Sequence, residues 1–121
     1  MARPSTLIQT ATIAAAGSLS GAVQVAGYRI ASIMFPSGWD AADATFSGRY
    51  DKNSTTYVDI YEDATDTELT VQAGASRIVL LTGDKAEGLL GLESIKVRSG
   101  TSGSAVAQGD EVIVSLALVK V

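Results

Sequence analysis

The sequence predicts an all-β protein, a single-domain antiparallel β-sandwich of the jelly-roll type. Three observations support this fold class. Apolar and polar side chains alternate with a period of two, turn-forming residues recur every 8–12 residues, and no segment has helical periodicity for more than about two turns. Because 121 residues is the length of one domain, we expect residues 1–121 to form one unit of eight to nine strands with at most one short helical turn.

The N-terminal third contains three predicted strands. Thr6 to Ile13 is rich in β-branched residues and predicts the first. A signal peptide is a weaker interpretation, because Gln9, Thr10 and Thr12 interrupt the apolar stretch. Residues 1–9 have a further interpretation, as an extended arm that adds a strand to a neighbouring sheet edge. "AVQVAG" and then "YRIASIMF" follow, the latter as a strand covered on both faces that ends at Pro36.

The middle of the chain alternates in the same way. "ATFSGRYD" predicts a strand with Phe46, Gly48 and Tyr50 on one face, and the polar turn "DKNS" connects it to "TTYVDIYED". "LTVQA" and the nearly continuous apolar "SRIVLLT" predict two more strands. "GDKAEGLLG" is the place for a short helical turn, which its glycines keep short.

The last two strands, "LESIKVRS" and "DEVIVSLALVKV", form a closing pair. In the final strand Val112, Val114, Leu116 and Leu118 share one face, while the residues between them share the other. The connector between the two strands consists of small residues. Its glycines, Gly100, Gly103 and Gly109, are expected to supply backbone freedom.

The composition excludes several classes of function. Nine basic and thirteen acidic residues give a net charge of −4 with no basic cluster, so nucleic acid is not an expected partner. No apolar run approaches the ~20 residues of a membrane-spanning helix. The chain has no cysteine and no histidine, which removes thiolate zinc sites, Cys nucleophiles and Ser-His-Asp triads. We therefore expect no enzyme activity and no cofactor.

Two side-chain clusters have alternative interpretations. Five carboxylates lie close together in the sequence and suggest a calcium site, a glycosidase pair or, as we favour, a solvated hairpin; they are Asp59, Glu62, Asp63, Asp66 and Glu68. The aromatic residues suggest either a platform for sugar rings or core packing, which we favour, with Trp39 as a plug at the end of the sandwich; they are Trp39, Tyr28, Tyr50, Tyr57 and Tyr61. We expect Tyr28, Tyr50 and Tyr61 to pack against the core or the partner sheet.

The sequence from about Thr12 to the C-terminus resembles a family of small tailed-phage virion proteins. The resemblance is carried by "WDAADATF" at Trp39 to Phe46, by Asp59-Ile60-Tyr61-Glu62, and by "IKVRSGTSG" near the end. The strand order also resembles discoidin-like jelly rolls, although Leu92 and Ser94 stand where those proteins have a bulky aromatic residue. These motifs are structural and carry no chemistry.

The resemblance implies a virion component, and among virion roles we favour a capsid decoration (cement) protein. It would bind the major capsid protein on the capsid surface, form a homo-oligomer, with a trimer favoured, and assemble in the host cytoplasm. The alternative is a carbohydrate- or receptor-binding module of a tail or fibre. Expected contact residues are Arg3, Pro4, Leu7, Ile8, Trp39, Arg98, Gly100 and Gly103.

Overall fold

The protein, described here from a computed structural model, is a β-sandwich of two four-stranded antiparallel sheets with an added hairpin. The structure describes residues 6–63 and 67–121. The elements are β1 (Thr6–Ile13), β2 (Val23–Gln24), β3 (Tyr28–Phe35), β4 (Ala44–Arg49), β5 (Val58–Asp59), β6 (Tyr61–Glu62), β7 (Thr67–Glu68), β8 (Arg77–Leu80), α1 (Gly83–Gly88), β9 (Ser94–Ser99) and β10 (Val112–Lys120). The all-β prediction is confirmed.

The strands are ordered β1-β10-β3-β8 in the first sheet and β2-β9-β4-β5 in the second, and β6 pairs with β7 in the hairpin. The described residues thus contain ten strands, one more than the upper end of the predicted eight to nine. The predicted strand "LTVQA" does not form, since Val71 has only an isolated bridge to Ala44, and β7 forms where no strand was predicted. "TTYVDIYED" supplies the additional strand, because it divides at Ile60 into β5 and β6. The Ile60 N–H donates to Phe46 O, and Ile60 O accepts from Leu69 N–H. The chain therefore leaves the second sheet at this residue and enters the hairpin.

The final strand β10 has the two faces that its alternation predicts. Val112, Val114, Leu116 and Leu118 are buried, whereas Ile113 is exposed. These four side chains pack with Phe46, Ile95 and Val97 of the second sheet in one core cluster. Since inward residues of β1 lie opposite those of β10, with Ile13 beside Val112 and Ala11 beside Val114, the same register extends the core to the first strand.

Three expectations about buried positions are wrong. "YRIASIMF" is covered on one face only, and its Met34 is exposed. Tyr50 and Tyr61 are also exposed, since they lie where β4 has ended and where the chain has left the second sheet. Tyr28 does pack against the core.

Trp39 plugs the end of the sandwich. It is 4% exposed, its ring meets Phe35 edge-on at 4.8 Å between centroids, and its Nε1 donates to Ala42 O at 3.0 Å. An indole with its polar atom paired and its ring covered is a core residue.

The closing connector folds back on itself at Gly100. This residue has φ +87°, and a Cβ there would lie 2.5 Å from Ser104 O and 2.7 Å from Val106 N. The expectation of backbone freedom is therefore confirmed at Gly100. Gly103 and Gly109 do not have left-handed φ angles, and Gly103 has open space around it, so neither conformation requires glycine.

The one helix among the described residues, α1, is six residues long and lies between β8 and β9. It lies within "GDKAEGLLG", where a short helical turn was predicted. In the described part of the chain, no helix is both long and apolar enough to cross a membrane.

Candidate functional site

The outer face of the first sheet carries the largest group of exposed apolar side chains. In the registers of β1, β10, β3 and β8, five large residues point away from the core. We call this surface the apolar face; its large residues are Ile8, Met34, Ile78, Leu80 and Ile113. Leu80 is 70% exposed and Ile78 is 63% exposed. Soluble proteins rarely leave so contiguous a group uncovered unless it meets a partner.

Small residues fill the middle of the apolar face. Ala117 and Ser32 lie side by side between Ile8 and Leu80 in one row across the sheet. In the next row Ser115 lies beside Met34. The part of the face around Ala117, Ser32 and Ser115 is therefore shallow, with Met34 raised beside it, and bulky side chains of a partner can insert there.

A bulge in β3 fixes which residues reach this face. The pairing with β10 shifts between Ala117 and Leu118, so that Ser32 lies opposite Ala117 and Ile30 lies opposite Leu118. The extra residue, Ala31, allows Ile30 and Ile33 both to point inward, although they are three residues apart. Met34 consequently points outward.

Charge is nearly absent from the apolar face. In the four strands, all within the described residues, Arg29 is the one ionisable side chain with outward register. Glu111 precedes Ile113 by two residues and continues the same alternation at the opposite end. The rest of the surface is thus free of the desolvation cost that charges impose on a contact.

The outer face of the second sheet is polar and internally paired. Arg98 Nη2 donates to Asp59 Oδ1 at 2.6 Å, and its Nη1 donates to Glu68 Oε2 at 2.8 Å. Glu68 also accepts from the Ser102 N–H at 2.9 Å. This cluster ties the hairpin β6-β7 and the closing connector to β9, and it uses Arg98 for a structural contact.

A second polar cluster lies at the other end of β9. Arg49 Nε donates to Glu93 Oε1 at 2.7 Å, and the Ser94 hydroxyl donates to the same oxygen at 2.7 Å. These hydrogen bonds, with that from Ser94 the stronger influence, lower the pKa of Glu93 below its usual range. The Tyr57 ring lies under two cations, with Lys96 Nζ 4.6 Å and the Arg49 guanidinium carbon 5.1 Å from its centroid.

The predicted acidic cluster does not converge. Asp59 and Glu68 are both held by Arg98, Asp66 lies outside the described residues, and among the described residues no three metal-ligating side chains gather at one point. A glycosidase pair needs two carboxylates facing a substrate across a gap. Here an arginine occupies the space between the two carboxylates.

A cleft of about 610 Å³ opens beside the edge strand β5. Its floor is apolar, with Ile60 and Leu92, and its rim carries Tyr50, Val58 and Tyr61, all three exposed. Tyr50 is 85% exposed. The volume lies within the range of small-ligand sites, which is about 300–1,000 Å³.

The eight expected contact residues occupy different environments. Arg3 and Pro4 lie outside the described residues. Leu7 and Ile8 lie in β1, so residues 6–9 form part of the first sheet; only Ile8 points outward. Trp39 is buried, Arg98 is ion-paired and Gly100 is buried inside the closing connector, whereas Gly103 is exposed.

Only Ile8 among the expected residues belongs to the apolar face. Sequence analysis missed Met34, Ile78, Leu80 and Ile113 as candidate contacts. A signal existed for Ile113, because the alternation of β10 places it opposite the core. Gln108 was also missed: its buried amide accepts from the Asp40 N–H at 2.7 Å and donates to Ser99 Oγ at 2.8 Å.

Comparison with protein-family models, with curated proteins and with solved structures finds no match.

Proposed function

We propose that this protein is a structural component of a phage virion, a capsid decoration protein that binds between subunits of the major capsid protein and stabilises the shell. The motifs from Trp39 to Phe46 and near Arg98 support the virion assignment by resemblance. The apolar face is the observation that carries the mode of action, since a contact protein works by burying surface.

The chemistry available to the chain agrees with a role in contacts. No histidine or cysteine is present, and Asp59 and Glu68 are paired with Arg98. A protein that works by burial needs a patch whose centre is both poor in charge and rich in apolar groups. Both are features of this sandwich.

Particle stability tests the proposal. Particles assembled with and without the protein are heated, and release of the genome is followed with a DNA-binding dye. Particles that carry the protein are expected to open at a higher temperature. Equal opening temperatures, or failure of the protein to co-sediment with particles, would refute the decoration role.

The role of the apolar face in particle binding is tested by variants. Ile78→Asp puts a charge on the apolar face and is expected to reduce the number of copies per particle. Val58→Asp is the matched control, because Val58 is 65% exposed but lies in the second sheet. If both variants bind particles as well as the wild type, the apolar face is not part of the shell contact or of an assembly needed for it.

The cleft beside β5 favours a second candidate, a carbohydrate- or receptor-binding module. Tyr50 and Tyr61 present exposed rings above an apolar floor, and aromatic faces with polar tips suit sugar rings. Trp39, the earlier candidate, is buried. A glycan array with the wild type and Tyr50→Ala tests this. Glycan binding by the wild type that Tyr50→Ala abolishes would support a carbohydrate-binding module. If the wild type binds no glycan, the carbohydrate-binding function is refuted.

A further inference from the structure

We infer that the apolar face binds a second copy of this chain, face to face about a two-fold axis that runs across the sheet along the row of Thr10, Ser115, Met34 and Ile78. The inference rests on the proposed function and deepens it: the apolar face serves decoration by joining two copies, and the particle binds the pair. Three properties of the face point to self-association.

The charges at the two ends of the face are complementary under this symmetry. Arg29 lies beside Val119, four residues from Ser115 along β10, and Glu111 lies four residues from Ser115 in the other direction. A two-fold axis through the Ser115 row exchanges these ends. Arg29 of one copy therefore comes to the end that holds Glu111 of the other, one strand away, or about 4.8 Å sideways.

The shapes on the face are complementary under the same axis. Ile113 and Ala117 are each two residues from Ser115, on opposite sides. The axis places the bulky Ile113 of one copy over the small Ala117 of the other, beside the equally small Ser32. On the central row Ile78 meets Ile78 of the second copy, and Met34 meets Met34. Ile113 of each copy thus enters the shallow part of the other, as side chains of packed sheets interdigitate, whereas Met34 and Ile78 pack against their own counterparts on the axis.

The size of the face sets the expected strength. Four strands about 4.8 Å apart, taken over the stretch of about six residues that holds the five large side chains, at about 3.4 Å per residue, span about 19 by 20 Å. A patch of about 380 Å² is the size of the largest apolar patch on a typical monomer, which is often functional. Burying it on two copies removes about 760 Å², which is less than the roughly 1,200–2,000 Å² of stable specific interfaces. We therefore expect a reversible dimer with Kd in the micromolar range.

Sedimentation equilibrium over about 1–500 μM, a range that brackets micromolar affinity, tests the inference on the purified full chain. The mass of the wild type is expected to rise from 12.4 kDa towards twice that value. In Ile78→Asp the new carboxylates of the two copies face each other across the axis, and we expect the Kd of the dimer to rise by at least 100-fold. Val58→Asp, an exposed site away from the face, is expected to leave the Kd within two-fold of the wild type.

Charge reversal tests the symmetry. Arg29→Glu and Glu111→Arg are each expected to weaken the dimer about 10-fold, and the double variant is expected to recover most of the loss. The natural absence of cysteine allows a second test. Met34→Cys is expected to cross-link to a dimer with a short bis-maleimide, whereas Lys52→Cys, at an exposed turn, is expected not to.

Several results would overturn the inference: a wild type that stays at 12.4 kDa throughout, a trimer as the limiting species, or equal effects of Ile78→Asp and Val58→Asp. Near-UV circular dichroism of each variant separates loss of association from loss of fold. The proposed function fails independently. If the wild type is monomeric and Ile78→Asp loses particle binding, the dimer is refuted and the decoration role is supported. If the wild type is dimeric but does not bind particles, the dimer is supported and the decoration role is refuted.

Discussion

Replacing Gly100 with alanine is expected to destabilise the protein by about 3 kcal/mol. A left-handed backbone costs an alanine roughly 1–2 kcal/mol, and Gly100 has φ +87°. The new Cβ would lie 2.5 Å from Ser104 O and 2.7 Å from Val106 N, both backbone atoms. The connector must therefore move, which puts at risk the hydrogen bond from Val106 N–H to Ser99 O, worth about 1 kcal/mol.

Thermal unfolding followed by circular dichroism measures this loss. For 121 residues and about 2.1 cal/mol/K per residue, 3 kcal/mol corresponds to a fall in Tm of about 12 °C. Gly103→Ala is the matched control from the same connector, because Gly103 has open space and no left-handed φ. We expect that variant to change stability by less than about 1 kcal/mol. Equal Tm values for the two variants would refute the assignment of strain to Gly100.

Three further variants probe the polar contacts. Arg98→Met leaves the buried carboxylate of Glu68 without its ion-pair partner, and we expect it to lower the free energy of urea unfolding by about 3 kcal/mol. Adding Glu68→Gln should restore part of this loss, and no recovery would show that the ion pair is not the cause. Gln108→Leu removes the acceptor of the Asp40 N–H. We expect it to lower the free energy of unfolding by about 2 kcal/mol and to speed hydrogen exchange of the Asp40 amide. An unchanged exchange rate would count against the contact. The pKa of Glu93 is lowered in the folded protein. The stability that the Glu93 carboxylate adds relative to Glu93→Gln should therefore be present above the usual glutamate pKa of about 4.3 and disappear as the pH falls through the lowered value. A stability difference between the two proteins that does not vary between pH 7 and 3 would contradict this.

Local alternation predicted the strands well where one face is buried and the other is not. The segment Thr6 to Ile13 has the predicted bounds, and the inward set of β10 is the predicted set. The reason is that the side-chain period of a strand is two, so a one-residue error would expose a whole hydrophobic face. The short helical turn at α1 was predicted on equally local grounds, the spacing of glycines.

Continuous apolar runs were less informative. "SRIVLLT" was expected to be a nearly continuous apolar strand, and in the structure it forms β8, an edge strand whose Ile78 and Leu80 face outward. An apolar run does not specify whether its second face is covered by the same chain, by another molecule or by nothing. Position in the sheet decides this, and that position depends on pairing between Arg77 and Phe35, which are 42 positions apart (77 − 35).

The sequence by itself determined the all-β fold class, the faces of the last strand and the absence of histidine and cysteine chemistry. Only the tertiary structure decided that Arg98 holds two carboxylates 30 and 39 residues away, and that the outward residues of four strands form one apolar face. Alternation is a property of neighbouring residues, whereas these features depend on which strands pair and in which register. Non-local pairing decides where a side chain ends up, and a single sequence specifies it only through the complete fold.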